Sequence, residues 1–206
     1  MKYLIFDFNG TIVNDIALSL ESFNYCLNKY LNKGPLSLEE YRNIFCFPVI
    51  DYYKKVGFDF NVQSWEEVAK CWMDHYQKHH HECEIFDGVT DLIIEAHKLG
   101  YRCVVLSASE TSILNFQLKE FGIFDYFDDV IGIDDIYAVS KVEYAKKYFD
   151  GKDLSDSLLL GDTDHDKQVA DELGCKCILI ASGHQAYDKL IKCNDIVYNS
   201  IKEVKL

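Results

Sequence analysis

The sequence predicts an α/β fold: a parallel sheet with helices on both faces, interrupted early by an all-helical insertion. Three observations predict it. Short β-rich apolar runs recur along the chain, stretches of helical length separate them, and small polar residues gather where the runs end. Strands covered on both faces read as continuous apolar runs rather than as alternating ones. The chain has 206 residues, 49% of them hydrophobic and 27% charged, which suits one domain, or one domain carrying a sizeable insertion.

Residues 3–8 (YLIFDF) form the first run and end at Asp7, Asn9 and Gly10, a buried strand entering a tight loop. Residues 101–106 (YRCVVL) repeat the pattern and end at Ser107. The runs 130–133, 157–162, 177–181 and 195–198 complete the set, and helices are expected near 89–99, 109–121, 140–149, 165–173 and 184–192. In open sheets of this kind ligands bind beyond the carboxyl ends of the strands. Asp7, Asn9, Ser107, Asp134, Asp135, Asp162 and Asp166 all fall at such ends.

Residues 15–84 break the alternation. An amphipathic stretch covers 16–32, and Ser37-Leu-Glu-Glu40 and Ser64-Trp-Glu-Glu67 both read as capping boxes, a hydroxyl and a returning carboxylate satisfying first-turn amides. The expected division is therefore 1–14 with 85–206 as the α/β core, and 15–84 as a helical insertion. Adjacent histidines at 79–81 point about 100° apart on a helix, so they read as a polar helix end and not as a metal site.

Composition narrows the function. A net charge of −13 argues against non-specific binding to nucleic acid or an anionic membrane, because such binding neutralises phosphates. No apolar run approaches the ~20 residues that span a bilayer, and Met1 leads into KYLIFDF with no leader pattern, so a cytoplasmic protein is expected. The eight cysteines include no C-x-x-C pair and read as reduced, mostly buried side chains. Nothing in the sequence sets the oligomeric state.

Four polar clusters carry the chemistry: D-F-N-G-T at 7–11, Ser107, Lys141 and G-D-T-D-H-D at 161–166. Each has a plain structural reading, as a capped turn, a helix N-cap or a solvated lysine. On consecutive strand ends of one sheet they converge. Asp7, Asp162 and Asp166 would repel one another unless a cation lay among them, and hard oxygen ligands suit Mg²⁺. Ser107 and Lys141 would supply a hydroxyl and a positive charge for phosphate oxygens.

In these motifs the sequence resembles the haloacid-dehalogenase (HAD) superfamily over nearly its whole length. D-x-D-G-T looks like Asp7-Phe8-Asn9-Gly10-Thr11, the Ser or Thr after a strand matches Ser107, the upstream lysine matches Lys141, and G-D-x-x-x-D matches Gly161, Asp162 and Asp166. The insertion stands where the family places a C1 cap. Segments FDGV at 86–89 and SGHQ at 182–185 bring the chain nearest to phosphoglycolate-phosphatase-like and phosphoglucomutase-like members.

The resemblance implies a Rossmann-like core and phosphoryl transfer from a small phosphorylated substrate through an aspartyl-phosphate on Asp7. It further implies phosphate contacts from Phe8, Asn9, Ser107, Ala108 and Lys141. Mg²⁺ would be held by Asp7, the carbonyl of Asn9 and Asp162, with Asp166 in support. One position departs from the pattern. The second Asp of the first motif, the family's general acid, is Asn9, and an amide cannot shuttle a proton. General acid–base catalysis contributes roughly 10²–10⁴-fold, so hydrolysis is expected to be slow, or confined to leaving groups that need no acid.

The alternatives are C–P cleavage of a phosphonate, using a cap lysine among Lys29, Lys54 and Lys55, and a phosphate- or metal-binding module with lost turnover. Candidates to face a substrate are Arg42, Lys54, Lys55, Phe45, Phe47, Tyr52 and Tyr53, with the aromatics expected to pack among themselves. Linkers near Asn14–Ile16 and Glu84–Asp87 are expected to let the helices move.

Overall fold

The computed structural model describes residues 1–133 and 141–206; Asp134 and Asp135 lie outside the described residues. The chain opens with β1 (Lys2–Phe6) and a two-residue strand β2 (Val13–Asn14). Four helices follow: α1 (Ile16–Leu31), α2 (Leu38–Ile44), α3 (Val49–Lys55) and α4 (Trp65–His79). The second short strand, β3 (Glu84–Ile85), returns the chain to α5 (Val89–Lys98), β4 (Tyr101–Glu110), α6 (Thr111–Glu120) and β5 (Asp129–Ile133). The remainder comprises α7 (Lys141–Tyr148), β6 (Leu158–Gly161), α8 (Asp164–Leu173), β7 (Lys176–Ile180), α9 (Tyr187–Leu190) and β8 (Val197–Tyr198).

Six strands form one parallel sheet in the order β5-β4-β1-β6-β7-β8. Alternate side chains of each strand face opposite layers. Leu4, Phe6, Cys103 and Val105 pack with Val89, Ile93, Leu114 and Leu118 of α5 and α6. Tyr3, Ile5, Val104 and Leu106 face Ala145, Val169, Ala170 and Leu190 of α7, α8 and α9. The α/β expectation is met. Because the chain leaves β1 for β4 on one side and later returns to β6 on the other, the strand order reverses around β1. A crevice opens at such a reversal, and the residue after β1 is Asp7.

The four helices between β2 and β3 hold an apolar cluster of their own, with Phe23, Leu27, Tyr41, Tyr52, Tyr53 and Phe58 at its centre. Phe23 meets the rings of both Tyr52 and Tyr53, at 5.0 and 4.8 Å between centroids. The ends of this segment are tied together by antiparallel pairing of Val13 with Ile85 and Asn14 with Glu84. That pairing and α3 were not foreseen. Two-residue strands are too short to show a period, and α3 follows Pro48 within a run of aromatics.

Several boundaries differ from expectation for local reasons. Ser37 and Glu40 complete a capping box, whereas at Ser64 only the hydroxyl half forms, accepting the Glu67 amide. A second full box joins Thr163 and Asp166 at the start of α8. The expected helix 184–192 shortens to Tyr187–Leu190 because His184 and Gln185 are buried in a loop bonded to Asp162 and Asp164. All eight cysteines are free thiols. His79 and His80 pair with Glu82 and Glu120 at the end of α4. Among the described residues no helix is long and apolar enough to cross a membrane.

Candidate active site

The ends of β1 and β6 deliver Asp7 and Asp162, the adjacent β4 delivers Ser107 within its length, and the first residue of α7 delivers Lys141. Asp7 is fixed by its own backbone, its amide donating to the Leu160 carbonyl at 2.8 Å. Regular pairing of β4 with β1 ends at Val105, and its register with β5 slips between Leu106 and Glu110. Ser107 therefore sits where the ladder breaks and not beyond the strand. It is 3% exposed, and its Oγ accepts the Ser109 amide at 3.1 Å.

Lys141 is buried, and its Nζ bridges two carboxylates, 2.5 Å from Asp7 Oδ1 and 2.7 Å from Asp166 Oδ1. The other oxygen of Asp166 accepts from the Thr163 hydroxyl (2.7 Å) and from the amides of Thr163 (3.1 Å) and Asp162 (3.2 Å). Asp162 accepts the His184 amide at 2.5 Å and lies 3.4 Å from the Thr11 hydroxyl. Oxygens of Asp7, Asp162 and Asp166 all come within 4.8 Å of one another. Two glycines make room for this crowding. A Cβ on Gly10, whose φ is +72°, would stand 2.3 Å from the Asp162 carboxylate, and one on Gly183 would stand 2.2 Å from it.

The electrostatics follow from burial. Desolvation pushes the Asp162 carboxyl up to about 8, against the His184 charge and helped by Asp7 and Asp166. Asp7 rises to about 6 for the same first reason, with Lys141 opposing. Burial also works against Asp166, but Lys141 and the Thr163 hydroxyl outweigh it and hold the carboxyl below its usual range. For Lys141 the two carboxylates overcome burial and keep the ammonium charged. One cation thus serves two of three acids, and among the described residues the third has no side-chain cation in contact.

The cluster therefore fits a divalent cation. Its donors are all hard oxygens, and burial pushes two of its three carboxyls up, a cost that a bound cation would offset. Asp166 is held on one oxygen by Lys141 and on the other by Thr163, Asp162 takes the His184 amide on Oδ2 and the Thr11 hydroxyl on Oδ1 at 3.4 Å, and Asp7 meets Lys141 through Oδ1.

The structure brings Asp7, Lys141, Asp162 and Asp166 together and sets Ser107 on the neighbouring strand. Phe8 buries its ring in the core, so only its backbone can reach a ligand; Ala108 is exposed beside Ser107. Of the substrate-facing candidates, Tyr52 and Tyr53 are core residues of the helical cluster. Arg42 donates to the Gly183 and Ser182 carbonyls at 2.9 and 2.7 Å, so it anchors rather than faces a ligand. Lys54 pairs with Asp51, Lys55 bonds the Ile44 carbonyl and Cys46, and Lys29 lies against Cys71.

Sequence reasoning missed Asp15, Tyr41, Tyr76 and His184. Asp15 is buried, accepts the Gly10 amide at 2.9 Å, and lies 3.4 Å from His184 Nε2. Tyr41 bonds the other ring nitrogen of His184 at 3.1 Å. Burial opposes both charges of the Asp15–His184 pair, yet each holds the other ionised. His184 is raised to about 9 and Asp15 is lowered. No local pattern announces a contact between residues so far apart in sequence.

Asp7 thus stands at the reversal of a parallel sheet, bridged by Lys141 to a second acid. Residues 4–180 match the haloacid dehalogenase-like hydrolase family, and the chain belongs to that family. It is similar to pyrophosphatase PpaX of Bacillus mycoides, at 25% identity over 188 residues that cover 86% of this chain and 82% of that protein. Among solved structures it resembles a "predicted phosphatase" from Clostridium acetobutylicum, with a TM-score of 0.81 and 21% identity over 98% of this chain and 95% of that one. A haloacid dehalogenase-like hydrolase of Streptococcus pneumoniae superimposes with a TM-score of 0.79 at 20% identity, covering 97% and 94%.

Proposed function

We propose that this hydrolase is a Mg²⁺-dependent phosphatase of a small phosphorylated substrate, acting through an aspartyl-phosphate on Asp7, with residues 15–84 as a cap over residues 1–14 and 85–206. The observation that carries the reading is the Lys141 ammonium seated between Asp7 and Asp166. It favours the ionised Asp7 carboxylate that nucleophilic attack needs, against the burial that raises it. Asp7 would form a bond to phosphorus as the leaving-group oxygen departs. Water would then add to the same phosphorus, break the aspartyl bond and release phosphate. Lys141, Ser107 and amides near Phe8, Asn9 and Ala108 would face the phosphoryl oxygens. A bound cation, held by Asp7, Asp162 and the Asn9 carbonyl with Asp166 in support, would offset the negative charge of those oxygens.

Asn9 bears on the substrate. It offers no proton to a leaving alcohol, so the site favours leaving groups that depart unprotonated. Inorganic pyrophosphate, whose leaving group is phosphate, satisfies that condition, and the relatives named pyrophosphatase support it as the first substrate to try. The C–P cleavage reading loses its motivation, because Lys29, Lys54 and Lys55 are each engaged within the helices.

The test is hydrolysis of pyrophosphate and of an aryl phosphate with Mg²⁺ and after chelation, with rapid quench and mass spectrometry for a phosphoryl adduct. Metal-dependent turnover, an adduct on Asp7 and its loss in Asp7→Asn are expected. Turnover that survives Asp7→Asn would overturn the mechanism, and no turnover of any phosphoester with Mg²⁺ would overturn the function.

A further inference from the structure

Asp15 is buried, stands next to the proposed chemistry and takes no direct part in it. Its Oδ2 accepts from Asn9 Nδ2 at 2.9 Å, from the Tyr76 hydroxyl at 2.9 Å and from the Ser19 hydroxyl at 3.1 Å. Its Oδ1 accepts the Gly10 amide at 2.9 Å and faces His184 Nε2 at 3.4 Å. A carboxylate surrounded by donors in this way is fixed in position.

The contact with Asn9 sets the orientation of the amide. An ionised carboxylate only accepts, so the end of Asn9 turned to Asp15 must be the nitrogen. That nitrogen also lies 2.9 Å from the Tyr76 oxygen, on the side of the helical segment. The carbonyl end is left on the opposite side, where Oδ1 lies 3.5 Å from Ser109 Oγ at the end of β4. Asn9 therefore shows its acceptor, and not its donor, toward the strand ends that carry Ser107.

We propose that Asp15, with Tyr76, is a positioning residue that fixes Asn9 as a hydrogen-bond acceptor toward the reacting space, and that it determines which side chain position 9 can use. This rests on the phosphatase reading above. With Asp15 in place, a carboxylic acid at position 9 would put two carboxyl oxygens in contact inside a buried pocket, where like charges repel strongly. The two positions are a matched pair. An acid at 9 beside Asp15 either bears that repulsion or ties up its proton between the two carboxyls, turned away from the leaving group, whereas an amide at 15 would donate to it through its nitrogen and keep the Gly10 amide satisfied through its oxygen. An acceptor at position 9 suits a leaving group or a water that brings its own hydrogen, as the P–OH of a departing hydrogenphosphate does. An alkoxide in need of a proton gains nothing from it.

The experiment compares the wild type with Asn9→Asp, Asp15→Asn and the double variant. Hydrolysis of an alkyl phosphate and an aryl phosphate is measured with Mg²⁺, and thermal unfolding without it. Asn9→Asp alone should lower the unfolding midpoint by ~5 °C or more, and Asp15→Asn on top of it should recover most of that loss. In the double variant kcat for the alkyl ester should rise about tenfold or more over wild type. The aryl ester should gain less, and KM should move little. A merely structural Asp15 would not produce that difference between leaving groups. The proposal is overturned if Asn9→Asp alone gains as much as the double variant, or if the two single shifts in midpoint simply add. If no variant turns over any phosphoester, the phosphatase reading fails, and the unfolding cycle still decides whether the two positions are matched.

Discussion

Phe45 lies nearly parallel to the imidazole of His184, with 5.0 Å between ring centroids and 21° between planes. The contact joins the end of α2 to the loop after β7, and it is one of several. Arg42 bonds the carbonyls of Ser182 and Gly183, and Lys189 and Gln185 both reach the Phe45 carbonyl, at 2.6 and 3.4 Å. The same loop gives Asp162 its His184 amide, so contacts that fasten the helices also shape the acidic cluster.

Arg42→Ala should therefore loosen both. Two charge-assisted bonds are lost, and about 1–3 kcal/mol of stability should go with them. Amide exchange at residues 182–185 should quicken while exchange in β1 stays unchanged. Equal exchange rates in variant and wild type would show that the fastening does not depend on the guanidinium.

Lys141→Met should be costly in two ways. It leaves Asp7 and Asp166 facing each other in a buried site, and breaking a buried pair from one side costs about 3–5 kcal/mol. Without the ammonium the Asp7 carboxyl should rise further above about 6. Urea unfolding reads the first effect. The acid limb of the rate profile, displaced to higher pH in whatever activity survives, reads the second.

Adding Mg²⁺ should raise the unfolding midpoint more at pH 8 than at pH 5. The sign follows from Asp7 and Asp162. Their folded values, about 6 and about 8, lie above the ordinary 3.8, so the fold prefers them protonated. As pH rises through those values the unliganded protein is forced to hold the charges or unfold, and it loses stability. A cation among the carboxylates removes that penalty. An equal gain at both pH values would place the ion elsewhere.

His184 gives a separate dependence. Its folded value of about 9 lies above the ordinary 6.5, so its pairing with Asp15 stabilises fully below about pH 6.5, and the benefit is lost as pH rises through 9. The contribution is on the order of 1–3 kcal/mol. His184→Gln should remove this alkaline decline while leaving the response to Mg²⁺ at pH 8 in place. Persistence of the decline in the variant would assign it to another group.

Asp7, Ser107, Lys141, Asp162 and Asp166 were legible because each stands at the end of an apolar run or the start of a helix, and a parallel sheet aligns such ends at one edge. The pattern carried their convergence as well as their identity. Asp15 and His184 were not legible for the opposite reason. Asp15 lies outside the four polar motifs, just before a helix, and only the folded loop 182–185 brings an imidazole to it. Arg42 misled for a related reason: an exposed-looking helix arginine gives no sign that backbone carbonyls of a distant loop await it. Asn9 was visible as a departure, but the direction of its amide depends on Asp15 and Tyr76.

The pairing of Val13 with Ile85 and Asn14 with Glu84 has a consequence for how such a chain can vary. The helices between them enter and leave through a doorway only one ribbon wide. Whatever lies beyond it, the two threads reach the sheet at a fixed separation, and β4 meets β1 in the same alignment, Lys2 against Tyr101. The cost of closing a loop grows only slowly with its length. Helices beyond the doorway can thus be lengthened or shortened without changing the strand register, provided they keep the contacts of Arg42 and Phe45 with the loop at 182–185 and of Tyr76 with Asp15 and Asn9.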